Sequence, residues 1–352
     1  MTRPLMIEAE PAFRTEFANP YNARLYRAMS SADVVVRDLS YWRLLTRRTD
    51  IVHLHWPELT FLSGSRTSVH AARLLFFYLF LRVAKVRGTK LFWTVHNVTP
   101  HEERSTARLR ALHQRLLLGN VDAILALTAD GLQAARLVHP KLREVPGFVT
   151  PHGHYRDSYD LGIGRDKARE VLGVDPYVRL VLSLGQIRPY RNIPHLMKVF
   201  GRFDDPDARL AVAGRAAPAE HAAELRTAAE GDARVTLELS FLEDPRMACW
   251  LRAADLVVLP YRAIQNSGSA ILAISADRPV LVPDLGAMRE LADQVGHDWV
   301  FLYDDDLDEE DLSAALDLAT SPDRPRAPDL AALDWEAVAA STVAAYREVR
   351  GA

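Results

Sequence analysis

A strand-then-helix rhythm runs the length of this chain and restarts near its middle, and it limits the fold more than any other feature. Short apolar runs at residues 4–8, 34–36, 50–58, 90–95 and 123–127 are separated by stretches with helical periodicity. The set begins again at residues 179–184, 209–213, 235–239, 255–259, 280–282 and 300–302. Strands that alternate with helices build βαβ units, and βαβ units build parallel sheets. Two sets predict two Rossmann-like domains. Residues 151–166 lie between them, with Pro151, Gly153, Gly162 and Gly164, and read as a linker. A last helix is predicted near residues 335–349, with Val338, Val343 and Tyr346 as its apolar stripe.

In open parallel sheets ligands bind beyond the carboxyl ends of the strands. The residues that follow each run are therefore the candidates. The first half supplies Asn19, Tyr21, His55, Trp56, Glu58, His96 and Asn97. The second supplies Gly185, Arg188, Arg191, Gly214, Arg215 and the loop Asn266-Ser267-Gly268-Ser269. Residues 256–283 read as strand, loop, helix and strand. A glycine where a helix begins admits a ligand close to free N–H groups and the positive end of the helix dipole, which suits a phosphate or diphosphate. Plain capping by Asn or Ser explains the same residues. Arg188 and Arg191 sit after a strand and before a helix, where guanidinium groups can neutralise a departing diphosphate; a solvated basic turn is the other reading. Glu58, beside Trp56, is a candidate general base whose pKa an apolar neighbour would raise, or else a surface carboxylate. His96 contacts substrate or bonds the backbone.

Several classes are excluded. Over 352 residues the net charge is -3, which argues against a nucleic-acid partner. Cys249 is the single cysteine, so no internal disulfide or cysteine-rich zinc site can form, and a reducing cytoplasm is expected. Neither a signal peptide nor a membrane-spanning run is expected. The pairs His53/His55 and His152/His154 have no carboxylate at ligand spacing, so no metal is expected. Gly162-Ile163-Gly164 follows no strand, and Asp304-Asp305-Asp306 reads as capping and solvation. Residues 74–81 are apolar and aromatic, with Arg73, Arg82, Lys85, Arg87 and Lys90 around them. That composition favours a helix lying in a membrane surface over one packed on the first sheet.

With these residues assembled, the chain resembles GT-B glycosyltransferases. More narrowly it resembles the xanthan-type GDP-mannose:glycolipid β-1,4-mannosyltransferases. The resemblance is carried by Asn19-Pro20-Tyr21, His53-Leu54-His55-Trp56-Pro57-Glu58, Val95-His96-Asn97 with Pro100-His101-Glu102, and His152-Gly153-His154-Tyr155-Arg156-Asp157. It continues through Ile187-Arg188-Pro189-Tyr190, Asn266-Ser267-Gly268, Trp299-Val300-Phe301-Leu302-Tyr303 and Ala327-Pro328-Asp329-Leu330 before Asp334-Trp335.

The resemblance implies an α/β chain of GT-B type, two facing Rossmann-like domains with an interdomain cleft. Residues 1–157, completed by helix 335–352, would bind the acceptor, and residues 158–334 the nucleotide-sugar donor. Ile264 and Leu272 stand where the broader retaining group carries two glutamates, which agrees with inverting chemistry. Arg191 replaces a common lysine, and Arg188 stands in for an arginine replaced by Gln186. The implied reaction moves mannose from GDP-mannose to a polyprenyl-diphosphate oligosaccharide in exopolysaccharide assembly, with a β linkage and neither metal nor other cofactor. Glu58 is the implied base, with His96 and Glu102 as rivals. Arg188, Arg191, Gly185, Gly214, Arg215 and residues 266–269 would hold the donor, and Asn19, Tyr21, His55, Trp56 and Asn97 the acceptor. The enzyme would sit in the cytoplasm, peripheral on the inner face of the cell membrane through residues 74–81. The alternatives are another donor such as a UDP-sugar, its base read near Gly214-Arg215 and Phe241-Leu242-Glu243, and a non-catalytic scaffold of a polysaccharide assembly complex.

Overall fold

The computed structural model describes residues 3–17, 19–31, 33–62, 67–98 and 105–351. The chain divides into two units, Met1–Gly153 with Leu333–Ala352, and His154–Ala332. Each is built on a six-stranded, wholly parallel sheet.

The first unit holds β1 (Leu5–Glu10), β2 (Val34–Asp38), β3 (Ile51–Leu54), β4 (Lys90–Val95), β5 (Ala123–Ala126) and β6 (Gly147–Val149), in the order β2-β1-β3-β4-β5-β6. The winding reverses between β1 and β3, so the crevice of this sheet opens beyond their carboxyl ends. Strands covered on both faces need no alternation, and β3 and β5 are buried at every position. Helices Tyr21–Met29 and Trp335–Arg350 pack on one face through Leu25, Tyr26, Val338 and Tyr346. Helix Thr67–Val86 covers the other face with Leu74, Phe77, Tyr78 and Leu81. The apolar run at residues 74–81 therefore has two faces. Its inner face is core, while Leu75, Phe76, Leu79 and Val83 on its outer face are exposed.

The second unit holds β7 (Arg179–Leu184), β8 (Ala208–Ala213), β9 (Val235–Glu238), β10 (Leu256–Val258), β11 (Val280–Pro283) and β12 (Val300–Tyr303), in the order β12-β11-β10-β7-β8-β9. Here the winding reverses between β7 and β10.

The structure departs from the sequence reading in particular places. Pro57 does not merely end β3; it opens the short helix Pro57–Phe61, where its missing N–H costs nothing. The linker reading fails at its end, because Arg165–Leu172 is a helix closed by Gly173 at φ +68°. Within this charged helix Arg169 is 1% exposed. The Arg169 guanidinium donates to the carbonyls of Ala253, Asp175, Pro176 and Val178 at 2.8–3.1 Å and pairs with Asp255 at 2.7 Å. Asp304 to Asp306 do not cap the following helix. Asp308 does, in a reciprocal capping box with Asp311. Among the described residues no helix is long and apolar enough to cross a membrane.

Candidate active site

In the first unit, the carboxyl ends of β3 and β4 deliver a stack of imidazoles. His53 lies in β3 and His55 one residue past its end, two positions on, and their rings come side by side with centroids 4.3 Å apart. His53 Nδ1 meets the hydroxyls of Tyr26 at 2.8 Å and Tyr346 at 2.6 Å, and its Nε2 meets Thr94 Oγ1 at 2.7 Å. His55 Nε2 meets the same Tyr26 hydroxyl at 2.6 Å, and His55 Nδ1 meets His96 Nε2 at 3.0 Å. The Trp56 ring stacks on His96, with centroids 4.0 Å apart. Tyr21 sets its edge against His55 and His96 and lies 4.6 Å from His152, whose Nδ1–H donates to the Gly153 carbonyl at 2.7 Å. Gly153 is required there, because a Cβ would fall 2.5 Å from the Trp335 ring.

Burial sets the charge of this stack. It pushes His53 down to about 3 and His152 to about 4, and holds His55 and His96 well below the usual imidazole range. The same burial raises Tyr21 and Tyr26. Near neutral pH the stack is thus uncharged, and it acts through hydrogen bonds and ring faces.

Of the acceptor-side candidates, Tyr21, His55, Trp56 and His96 come together. His55 is 1% exposed and lies between Tyr26 and His96, so it supports the site. Asn19 accepts the Tyr21 N–H at 3.0 Å, a local turn that orients Tyr21. Glu58 is half-buried in the first turn of Pro57–Phe61, and Asn97 is half-buried just past His96. Glu102 lies outside the described residues.

The sequence reading missed Glu10. It ends β1 at the point where the winding reverses, and it is buried. Its carboxylate takes an ion pair from Arg14 and a hydrogen bond from Thr60 Oγ1 at 3.2 Å, and its carbonyl accepts the His55 N–H. The apolar run visible in the sequence ends at residue 8, while β1 continues through the less apolar Ala9 and Glu10.

In the second unit, Gly185 follows β7 at φ +121° and Gly214 follows β8 at φ +139°. Their backbones touch: a Cβ on Gly214 would stand 1.9 Å from the Gly185 carbonyl oxygen. The two loops then pair, with the Ile187 N–H donating to the Arg215 carbonyl at 2.9 Å, which sets Arg188 and the exposed Arg215 on neighbouring loops. Arg191 reaches back beneath Gly185. Its Nη1 donates to the Leu184 carbonyl at 2.9 Å and its Nη2 to Ser269 Oγ at 2.8 Å, and it packs against the Tyr261 ring.

Helix Gly268–Ser275 begins here, with Asn266 half-buried just before it. Ser267 is its N-cap, accepting the Ala270 N–H at 3.0 Å and bonding the Tyr261 hydroxyl at 2.7 Å. The capping interpretation holds for Ser267, while Ser269 is turned to Arg191. Arg191 is 7% exposed, and among the described residues it pairs with no carboxylate. Among the described residues its Nε has no hydrogen-bond partner. A buried cation beside a glycine turn and a helix N-terminus is chemically suited to an anion.

The family model of group 1 glycosyl transferases matches residues 178–320. A GDP-mannose:glycolipid 4-beta-D-mannosyltransferase from Xanthomonas campestris pv. campestris is 33% identical over 333 residues, 95% of this chain and 89% of the relative. Among solved structures, a Rickettsia africae glycosyltransferase superposes with a TM-score of 0.65 at 12% identity, covering 100% of both chains. Anabaena HepE in complex with UDP and glucose gives 0.64 at 14% identity, covering 99% of this chain and 98% of that one. These structural likenesses establish the GT-B fold. The identity to the Xanthomonas enzyme, sustained along nearly the whole of both chains, goes further: this protein belongs to the same glycosyltransferase family.

Proposed function

We propose that the protein is an inverting, metal-independent mannosyltransferase that moves mannose from GDP-mannose to a lipid-linked oligosaccharide, forming a β linkage in exopolysaccharide assembly. The Xanthomonas relative's name supports the donor, the glycolipid acceptor and the linkage. The observation that carries the chemistry is Arg191, a buried guanidinium with no carboxylate partner among the described residues, at the mouth of a glycine turn.

In a single displacement an acceptor hydroxyl loses its proton and attacks the anomeric carbon. The bond from that carbon to the diphosphate oxygen breaks, and GDP leaves with the electron pair. Negative charge grows on the diphosphate, so fixed donors aimed there lower the barrier. Arg191, Arg188, the N–H groups opening helix Gly268–Ser275 and the backbone at Gly185 and Gly214 supply them. Glu58 takes the proton. His96 is a poor base, because burial disfavours its imidazolium; it suits hydrogen bonding to the acceptor instead.

The acceptor's lipid has to be met at a bilayer. The outer face of helix Thr67–Val86 exposes Leu75 (63%), Phe76 (55%) and Leu79 (58%), with Arg73 and Arg82 exposed on the same helix and Trp42 exposed on a helix packed against it. An apolar stripe with cationic edges suits the anionic, cytoplasmic leaflet.

The test begins with thermal shifts in GDP, UDP, ADP, TDP and their sugar conjugates, with and without EDTA. Nucleotide at a hundred times its Kd adds about 2.7 kcal/mol. A selective response to GDP and GDP-mannose that EDTA leaves intact is expected. A selective UDP response overturns the donor, and no response overturns the enzyme reading. Labelled GDP-mannose with a polyprenyl-diphosphate oligosaccharide should then give a β-anomeric product, and Glu58→Gln should lower kcat by at least a hundredfold. Phe76→Ser with Leu79→Ser, both on the exposed face, should abolish sedimentation with anionic vesicles and leave the melting temperature unchanged.

A further inference from the structure

Four carboxylates are buried among the described residues: Glu8, Glu10, Asp50 and Asp255. Three have both oxygens engaged. Glu8 takes Arg43 Nε at 2.6 Å on Oε1, and Arg43 Nη2 at 2.9 Å and the Ser40 N–H at 3.0 Å on Oε2. Asp50 takes Arg48 and Arg350 on Oδ1 and the Met6 N–H on Oδ2. Asp255 takes Arg165 on Oδ1, and Arg169 and the Leu180 N–H on Oδ2. Glu10 differs. Its Oε1 takes both Arg14 Nη2 and Thr60 Oγ1, and its Oε2 has no hydrogen-bond partner among the described residues.

A buried carboxylate oxygen without a donor is costly, so it marks a place where a donor from outside the chain belongs. Position points the same way. Asp50 and Asp255 stand at the amino ends of β3 and β10, away from the crevices. Glu10 ends β1 where the winding reverses and the crevice of the first sheet opens. It also adjoins the aromatic group of the site. Its carbonyl accepts the His55 N–H at 3.1 Å, and Thr60 belongs to the helix that Trp56 precedes and that carries Glu58. Asn22, next to Tyr21, donates to the carbonyl of Pro11 at 2.9 Å and so fixes the turn that follows Glu10. Arg14 supplies the countercharge through Oε1 alone. What Oε2 then fits is a neutral O–H donor, and a hydroxyl bonded to a carboxylate is one of the stronger pairings.

We propose that Glu10 is an acceptor-binding residue whose Oε2 takes one hydroxyl of the sugar that receives mannose, and so selects that sugar. The proposal rests on the mannosyltransferase reading. It gives two carboxylates different work: Glu58 takes the proton of the attacking hydroxyl, and Glu10 holds another hydroxyl of the same sugar.

The test is transfer to glycolipids whose terminal sugar lacks one hydroxyl at a time, the attacking one excepted. For the native enzyme one deoxy acceptor should lose roughly ten- to a hundredfold in kcat/KM. Glu10→Gln keeps the shape and drops the charge. It should raise KM for the full acceptor several-fold, leave KM for GDP-mannose unmoved, and shrink that one deoxy penalty while the others stay. Arg14→Gln breaks the ion pair but keeps the carboxylate, so the penalty should persist. Glu10→Asp withdraws the oxygen by one carbon and should also lose the penalty, which decides the matter if Glu10→Gln does not fold. A native enzyme indifferent to every deletion overturns the inference. So does a Glu10→Gln profile that matches Arg14→Gln, since an ion pair serving only the fold would make the two variants alike. Transfer with the deoxy pattern unchanged in the variants overturns this inference alone; no transfer to any acceptor overturns the proposed function with it.

Discussion

Gly214→Ala should be the most damaging single-methyl change in the second unit of this protein. The new Cβ would lie 1.9 Å from the Gly185 carbonyl oxygen, 2.8 Å from its carbon and 3.2 Å from its nitrogen, all main-chain atoms. No side chain can rotate away, so one loop has to move by about 1 Å to reach ordinary contact. Alanine at φ +139° costs a further 1–3 kcal/mol or about that, and the displaced packing about 1–3 kcal/mol more. At roughly 2–4 °C per kcal/mol for a unit of this size, the sum predicts a fall in Tm of about 5–20 °C. The moved loop carries Gly185, under which Arg191 sits, so nucleotide stabilisation should vanish even well below the new Tm. Gly201→Ala is the control. It lies in helix Ile193–Arg202 with nothing within 4 Å of the new Cβ, and alanine's helix propensity should make it neutral or slightly stabilising. Calorimetry with and without GDP reads both. If Gly214→Ala melts within about 1 °C of the native protein and keeps its nucleotide shift, the close approach of the two turns is not what builds the site.

Arg191→Lys keeps the charge but cannot fork to both Leu184 and Ser269, so titration calorimetry should show diphosphate affinity at least tenfold weaker. Arg191→Met removes a buried charge with no carboxylate partner among the described residues, so it should abolish nucleotide binding while the ligand-free protein melts no lower than native. Acid should unfold the first unit before the second. Burial lowers His53, His55, His96, His113 and His152, all in the first unit, below the unfolded value near 6.5. The unfolded state therefore binds the extra protons, and stability present above about pH 6.5 is lost as pH falls toward 4, by about 1.4 kcal/mol per pH unit for each histidine. Hydrogen exchange between pH 7 and 4 should show protection lost first in β3 and β4; loss beginning in β7 and β8 would refute the assignment.

How much of this was legible in the sequence depends on how far apart the partners lie along the chain. The parallel sheets were readable because each strand is its own apolar run and each crossover its own helical run. The positions of Gly185, Gly214 and Ser267 were readable for the same reason, since each stands directly after a strand or before a helix. What Arg191 binds was less so: Leu184 is near in sequence, but Ser269 is on another element. β6 was missed because it has three residues and begins with glycine, too short for any periodicity to register.

The imidazole chain shows the limit most sharply. The i,i+2 spacing of His53 and His55 is visible, and on a strand it places both rings on one face. In isolation that spacing reads as half of a metal site lacking its carboxylate. The groups that complete it are hydroxyls of Tyr26 and Tyr346, from helices near opposite ends of the chain, and neither residue stands out in an apolar stripe where it reads as core. Both are core, with no exposed area, and both carry the one polar atom of their stripe to the same nitrogen. A buried tyrosine needs a partner for its hydroxyl, so its presence in a core stripe signals a buried acceptor somewhere on the facing sheet. With two such tyrosines on helices bound for one face of the sheet, and two histidines at the end of one strand, the pairing follows from satisfying every buried polar atom rather than from any motif.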